Sequence, residues 1–213
     1  MGASPRLFVA AAVAATAIGA NAQPAAADIF RLFGEAHGGG MDGQGTAGDQ
    51  KDSAFFANAP HLTYGGLVGA ELFIFDALIQ HHQYTNGSRL TTWTQFGLGL
   101  HFNIELGSEQ EQKEKKGNYF ELGVNAFFGI GTGQQVMPPL DNAQLSDKGF
   151  LAEARVGYGK HLSSMFDFGI VVPASYGYFF KSGNGAAVNN LSTHYRGWEI
   201  EGLLALRANL RLL

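Results

Sequence analysis

The sequence predicts an all-β chain: a closed antiparallel, transmembrane up-and-down β-barrel of eight strands, six of which can be delimited directly. Three observations carry that expectation. Long stretches alternate apolar and polar residues with a period of two, which puts one oily face on each strand. Glycine, 30 of 213 residues, recurs in the polar phase of those stretches. An export signal opens the chain, and no later segment is apolar for long enough to span a bilayer as a helix.

Met1–Ala22 has the layout of a cleaved signal. Arg6 supplies the positive region, Leu7–Gly19 the apolar core, and Ala20-Asn21-Ala22 a small-residue cut site before Gln23. Ala25-Ala26-Ala27 offers a second cut before Asp28. Residues 23–61 read as a flexible or periplasmic segment that could contribute a strand, with Asp28–Phe33 as a short helix or strand and Gly38–Asp52 as a polar loop. Residues 62–213 read as the barrel.

Within that barrel Leu62–Tyr84 forms one apolar run, interrupted by Glu71 and Asp76, and Asn86-Gly87 marks a hairpin turn. Thr92–Leu106 alternates most cleanly: Phe96, Leu98, Leu100, Phe102 and Ile104 share a face opposite Trp93, Gln95, Gly97, Gly99 and His101. A charged connector, Gly107–Asn118, leads to Phe120–Ile130. The polar stretch Thr132–Lys148, containing Pro138-Pro139, reads as a long loop. Phe150–His161 and Phe166–Phe180 follow, joined by a Ser163-Ser164 turn. Lys181–Arg196 reads as the last loop before the strand Trp198–Leu213. The missing pair of strands would come from Asp28–Pro60 or from splitting Leu62–Tyr84.

The glycines decide which face is inside. Gly97, Gly99, Gly123, Gly129, Gly157, Gly159, Gly169 and Gly177 all lie in the polar phase. A solvated strand face favours Thr, Lys and Glu, whereas in a narrow closed interior small residues make room for a few charged side chains that must pair. The bulky aliphatic face then meets hydrocarbon, and the sheet must close because a free edge in lipid is unsatisfied. Tyr158, Tyr176, Tyr178 and Trp198 stand in the lipid-facing phase near strand ends, as interface girdles do. The interior would collect Glu105, Glu121, Glu153, Arg155, Glu199, Glu201, Arg207 and Arg211. Unpaired buried charge costs several kcal/mol, so Glu–Arg pairs between neighbouring strands are expected, with Glu153, Arg155, Arg207 and Arg211 the foremost candidates. A lumen filled by such pairs favours a plugged barrel over a selective pore.

Signal, dyad alternation, long strands and a terminal strand running to the last residue resemble the small outer-membrane β-barrel family of Gram-negative bacteria, over roughly Leu62–Leu213. Members typically have eight strands and usually end in an aromatic residue, where this chain has Leu212-Leu213. The resemblance implies residence in the outer membrane after signal cleavage, with outer-membrane lipid and the barrel assembly machinery as partners. Separately, His161-Leu162-Ser163 resembles the His-x-Ser pair of the outer-membrane lipid A 3-O-deacylases. That would make His161 a base for Ser163, oriented by Asp167. Here, however, Ser164 stands where that motif carries Asn and no glutamate follows on the next strand, so a polar turn is the preferred reading.

Net charge is −4, which gives no footprint for nucleic acid. Without cysteine there are no disulfides, no thiolate metal sites and no lipoprotein anchor. No cofactor is expected, and no metal site: His81 and His82 would point to opposite faces and so could not join His101. Gly129-x-Gly131-x-Gly133 lacks the helix of a nucleotide loop. The expected function is a non-enzymatic membrane anchor or interaction scaffold with envelope protein partners, for instance within a motility or secretion machine. A lipid A deacylase, a small-solute pore and a soluble lipid-binding barrel are the alternatives.

Overall fold

A computed structural model of the chain describes residues 30–45, 61–85, 89–108, 110–111, 116–135, 145–182 and 194–211. Eight strands pair in sequence order: β1 (Phe30–Gly45), β2 (His61–Leu72), β3 (Phe75–Thr85), β4 (Arg89–Leu106), β5 (Asn118–Gln135), β6 (Leu145–His161), β7 (Phe166–Ser182) and β8 (His194–Arg211). Every neighbouring pair is antiparallel, and β1 closes on β8 from Arg31↔Arg211 to Gly45↔Gly197. Closure leaves no sheet edge. The signal peptide, its cut sites, Asn86-Gly87, Pro138-Pro139 and Leu212-Leu213 lie outside the described residues.

Both sources proposed for the missing strands contribute one. Leu62–Tyr84 divides at a two-residue turn, Phe73-Ile74, with Leu72 opposite Phe75. Phe73 takes a φ of 59°, a left-handed conformation unusual for a bulky side chain. The barrel therefore begins at Phe30, not at residue 62, and Gly38–Gly45 of the expected polar loop is the second half of β1. Glycine suits that strand because its neighbours come close: a Cβ on Gly39 would stand 1.9 Å from the Gly202 carbonyl oxygen. Strands also extend into the expected loops. β5 runs to Gln135, β6 starts at Leu145, β7 reaches Ser182 and β8 begins at His194. In β7, Pro173 supplies no N–H, and the β7–β8 ladder skips from Val171↔Leu203 to Ala174↔Ile200.

The face assignment decides everything downstream, and the side chains divide cleanly. Leu98 is 71% exposed, Val124 49% and Leu206 48%, with Phe75, Phe96, Phe150 and Ile170 beside them on the outer wall. Trp93, Phe127, Leu151, Phe179 and Leu203 are buried inside. Tyr158, Tyr176 and Tyr178 are exposed, and Trp198 is half-buried.

The inward glycines make room chiefly for interior aromatics, not for charges as expected. A Cβ at Gly131 or Gly129 would meet the Trp93 indole at 2.0 or 2.5 Å. One at Gly97 would meet Phe127 at 2.2 Å, and one at Gly177 would meet Phe179 at 2.4 Å. A Cβ at Gly157 would meet Val171 at 3.0 Å and the Glu121 side chain at 3.2 Å, so there the glycine makes room beside a charged residue as well as an apolar one. Phe33, Met41, Leu67, Leu78, Tyr84, Trp93, Phe127, Leu151 and Phe179 form one apolar cluster within the lumen.

Candidate functional site

The lumen holds the chemistry. At its centre lie Glu35 on β1, Glu121 on β5, Arg155 on β6 and Arg207 on β8, all buried. Arg155 donates from Nε to Glu121 Oε1 (2.5 Å) and from Nη2 to Glu35 Oε2 (2.5 Å). Arg207 donates from Nη2 to Glu35 Oε2 (2.7 Å) and to Glu121 Oε2 (2.8 Å). Glu35 faces Arg207 in register, and β5 neighbours β6, so two of these contacts join adjacent strands. The other two, Arg155–Glu35 and Arg207–Glu121, cross the barrel between opposite walls. Each carboxylate meets two guanidiniums and each guanidinium two carboxylates, the mutual satisfaction that buried charge requires. His37 Nδ1 lies 3.0 Å from Glu35 Oε1.

A second network lies toward the end that carries the short turns 73–74 and 162–165. His161 Nδ1 meets Asp167 Oδ1 at 2.6 Å, and its Nε2 meets Glu105 Oε2 at 2.9 Å. Its ring stacks on Tyr119 with centroids 4.7 Å apart. Asn209 Nδ2 donates to Asp167 Oδ2 at 2.6 Å, and Arg31 Nη1 donates to Asn209 Oδ1 at 3.3 Å. Arg31 Nη2 bonds Glu71 and lies 3.2 Å from His101 Nδ1.

Of the residues expected inside, Glu105, Glu121, Glu153, Arg155, Glu199, Glu201 and Arg207 have buried side chains. The backbone of Arg211 ends β8 opposite Arg31, and its side chain lies outside the described set. The expected pairing of Glu153 with arginine is corrected: it accepts from Asn125 Nδ2 at 2.8 Å, because Glu35 and Glu121 engage Arg155. Glu199 Oε2 and Glu201 Oε2 are buried without a hydrogen-bond partner among the described residues. The nearest ring nitrogen to Glu201 is His82 Nδ1, at 3.8 Å. Altogether Glu35, Glu71, Asp76, Glu105, Glu121, Glu153, Asp167, Glu199 and Glu201 face Arg31, Arg155 and Arg207 across the described lumen.

The His-x-Ser pair is not assembled for ester cleavage. Asp167 does hold His161, but the second ring nitrogen points at Glu105. Ser163 sits in the exposed 162–165 turn, where its Oγ accepts from the backbone N–H groups of Met165 (3.2 Å) and Phe166 (3.1 Å). The three histidines weighed as a metal set are dispersed. His81 faces outward and bonds Thr94 Oγ1 at 2.8 Å, while His82 faces inward against Tyr84 and His37. His101 lies further down the lumen beside Glu71 and Asp76. Outside the strands, Ser108 and Glu111 bond reciprocally in the β4–β5 connection, and the backbone N–H and hydroxyl of Ser108 hold the Glu111 carboxyl below its ordinary range.

Sequence reasoning missed Glu35, Arg31 and His37. Their alternation with Leu32, Gly34 and Ala36 was the available signal. A cavity of about 10 Å³ beside Glu35, Tyr119, Glu121 and Arg207 leaves room for about one water.

The architecture is a small, closed, eight-stranded barrel. No family model and no curated protein matches the chain. Among solved structures it is similar to the N-terminal β-barrel domain of Pseudomonas aeruginosa OprF, at 15% identity over 84% of this chain and 97% of that one, with a TM-score of 0.43. Neisserial surface protein A is 11% identical over 84% and 96%, with a TM-score of 0.47. The outer membrane protein OprG from Pseudomonas aeruginosa is 10% identical over 87% and 98%, with a TM-score of 0.45. At 15% identity or less the likeness is one of architecture, and the barrel described above rests on its own strand pairing.

Proposed function

We propose that the protein is an integral outer-membrane barrel serving as a non-enzymatic anchor or interaction scaffold, with its connecting loops meeting envelope partners. The observation that carries the reading is the outer wall. Closed strands of 11 to 18 residues expose Leu, Phe, Val and Ile around their full circumference, while charge is gathered in a packed lumen. Water gives such a surface no stabilisation, whereas hydrocarbon does, and closure satisfies every backbone group that hydrocarbon cannot. Cross-lumen Arg–Glu pairs favour a plug over a pore. The connections 46–60, 136–144 and 183–193 all leave from the same end, opposite the short turns, which suits one adhesive surface.

The test is fractionation of the processed protein from envelopes. It is expected to resist carbonate extraction and to migrate faster before boiling than after. Release by carbonate into the supernatant would sink the membrane assignment and favour the soluble lipid-binding alternative. For the deacylase alternative, Ser163→Ala is expected to leave lipid A acylation unchanged; loss of deacylated lipid A in cells carrying that variant would reinstate it.

A further inference from the structure

The geometry points to a divalent transition-metal site inside the barrel, built from Glu71, Asp76 and His101 under the Phe73-Ile74 turn. One ligand atom from each lies within 4.8 Å of the other two. His101 Nδ1 stands 3.4 Å from Glu71 Oε2 and 3.7 Å from Asp76 Oδ2. Around an ion with bonds of about 2.1 Å, tetrahedral ligand atoms are separated by roughly 3.4 Å, so little movement is needed to close this set.

Three further observations separate it from an ordinary acidic cluster. Asp76 is 5% exposed, and its Oδ1 is buried with no hydrogen-bond partner among the described residues, while its Oδ2 is the oxygen that faces His101. An unsatisfied buried carboxylate is costly unless a cation completes it. The far nitrogen of His101, Nε2, is buried without a hydrogen bond among the described residues and has Glu121 Oε1 3.5 Å away, so a small ring rotation would form the carboxylate–imidazole pair that commonly orients a metal-binding histidine. A cation already stands in the position: Arg31 Nη2 bonds Glu71 and sits 3.2 Å from His101 Nδ1.

Arg31 can yield. Its Nη1 already donates to Asn209, and its guanidinium lies over the Phe33 ring at 5.0 Å, which leaves it two partners on the other side. Two carboxylates and one imidazole suit a first-row cation such as Zn²⁺, Mn²⁺ or Co²⁺. Among the described residues lumenal carboxylates outnumber guanidiniums, so the interior field favours a dication. Glu71, more exposed than its two partners, is the ligand nearest solvent at this end.

Refolded full-length protein titrated with Co²⁺, then Zn²⁺, tests the assignment. One Co²⁺ per chain is expected, with visible d–d absorption that Zn²⁺ abolishes. Asp76→Asn and His101→Gln are each expected to weaken Co²⁺ binding at least ~tenfold, and Arg31→Gln to strengthen it, each in protein that still migrates as folded before boiling. His161→Gln should bind as the unmodified chain does. Should Asp76→Asn fail to fold, His101→Gln and Arg31→Gln decide the matter in the same way. Absence of Co²⁺ absorption at millimolar metal in folded protein would overturn the site, as would unchanged affinity in these variants. Carbonate release of the protein from membranes would leave this result standing, so the two proposals fail separately.

Discussion

Glu35 accepts from Arg155 and Arg207 at once, and Glu121 does the same from across the barrel. Removing one charge from such a square leaves a guanidinium pair facing a single carboxylate in a confined space. Glu35→Gln keeps the shape and removes the charge, and is expected to cost about 3–5 kcal/mol. Urea unfolding of the variant in detergent or lipid, followed by the loss of the fast-migrating form, measures it. A change below about 1 kcal/mol would mean that solvent, not Arg155 and Arg207, surrounds Glu35. The expectation of paired interior charge was legible in residues such as Glu121, Arg155 and Arg207. The partner choice was not, because adjacency along a strand says nothing about contacts across a lumen. Glu153 shows the difference: it lies two residues from Arg155 and bonds Asn125 instead.

At the scale of the strand, the outward row is where substitution should cost most. Leu98 is the most exposed of the large apolar side chains among the described residues, in the middle of β4. Leu98→Arg there is expected to cost about 2–4 kcal/mol when the barrel folds into bilayers. The same substitution is expected to cost little in detergent micelles, where an arginine can reach water. Parallel folding titrations in the two hosts check this; equal costs would speak against hydrocarbon at that position. β4 to β8, whose outward phase is nearly unbroken by glycine, were readable from alternation. β1 was not, because Gly38–Gly40, Gly43 and Gly45 contribute no side chains to alternate. The β2–β3 boundary was hidden for another reason. Phe73-Ile74 carries none of the usual turn residues, and the bend is instead imposed by register, with Glu71 and Asp76 facing inward on either side.

For the molecule as a whole, the fold follows from one physical partition, with bulky apolar residues outside and large rings seated over glycines inside. Trp93 and Leu98 report on the two sides of the same strand. Trp93 is fully buried in the lumen beside Phe179, with ring centroids 5.4 Å apart. The chain has only two tryptophans, so Trp198→Phe leaves Trp93 as the sole emitter, and adding Leu98→Trp places a second one on the outer wall. The deciding measurement is fluorescence of these two variants refolded into vesicles with brominated acyl chains. Trp93 alone is expected to keep its emission, and the component contributed by Leu98→Trp to be quenched. Quenching of Trp93 with none at position 98 would invert the barrel and contradict the account.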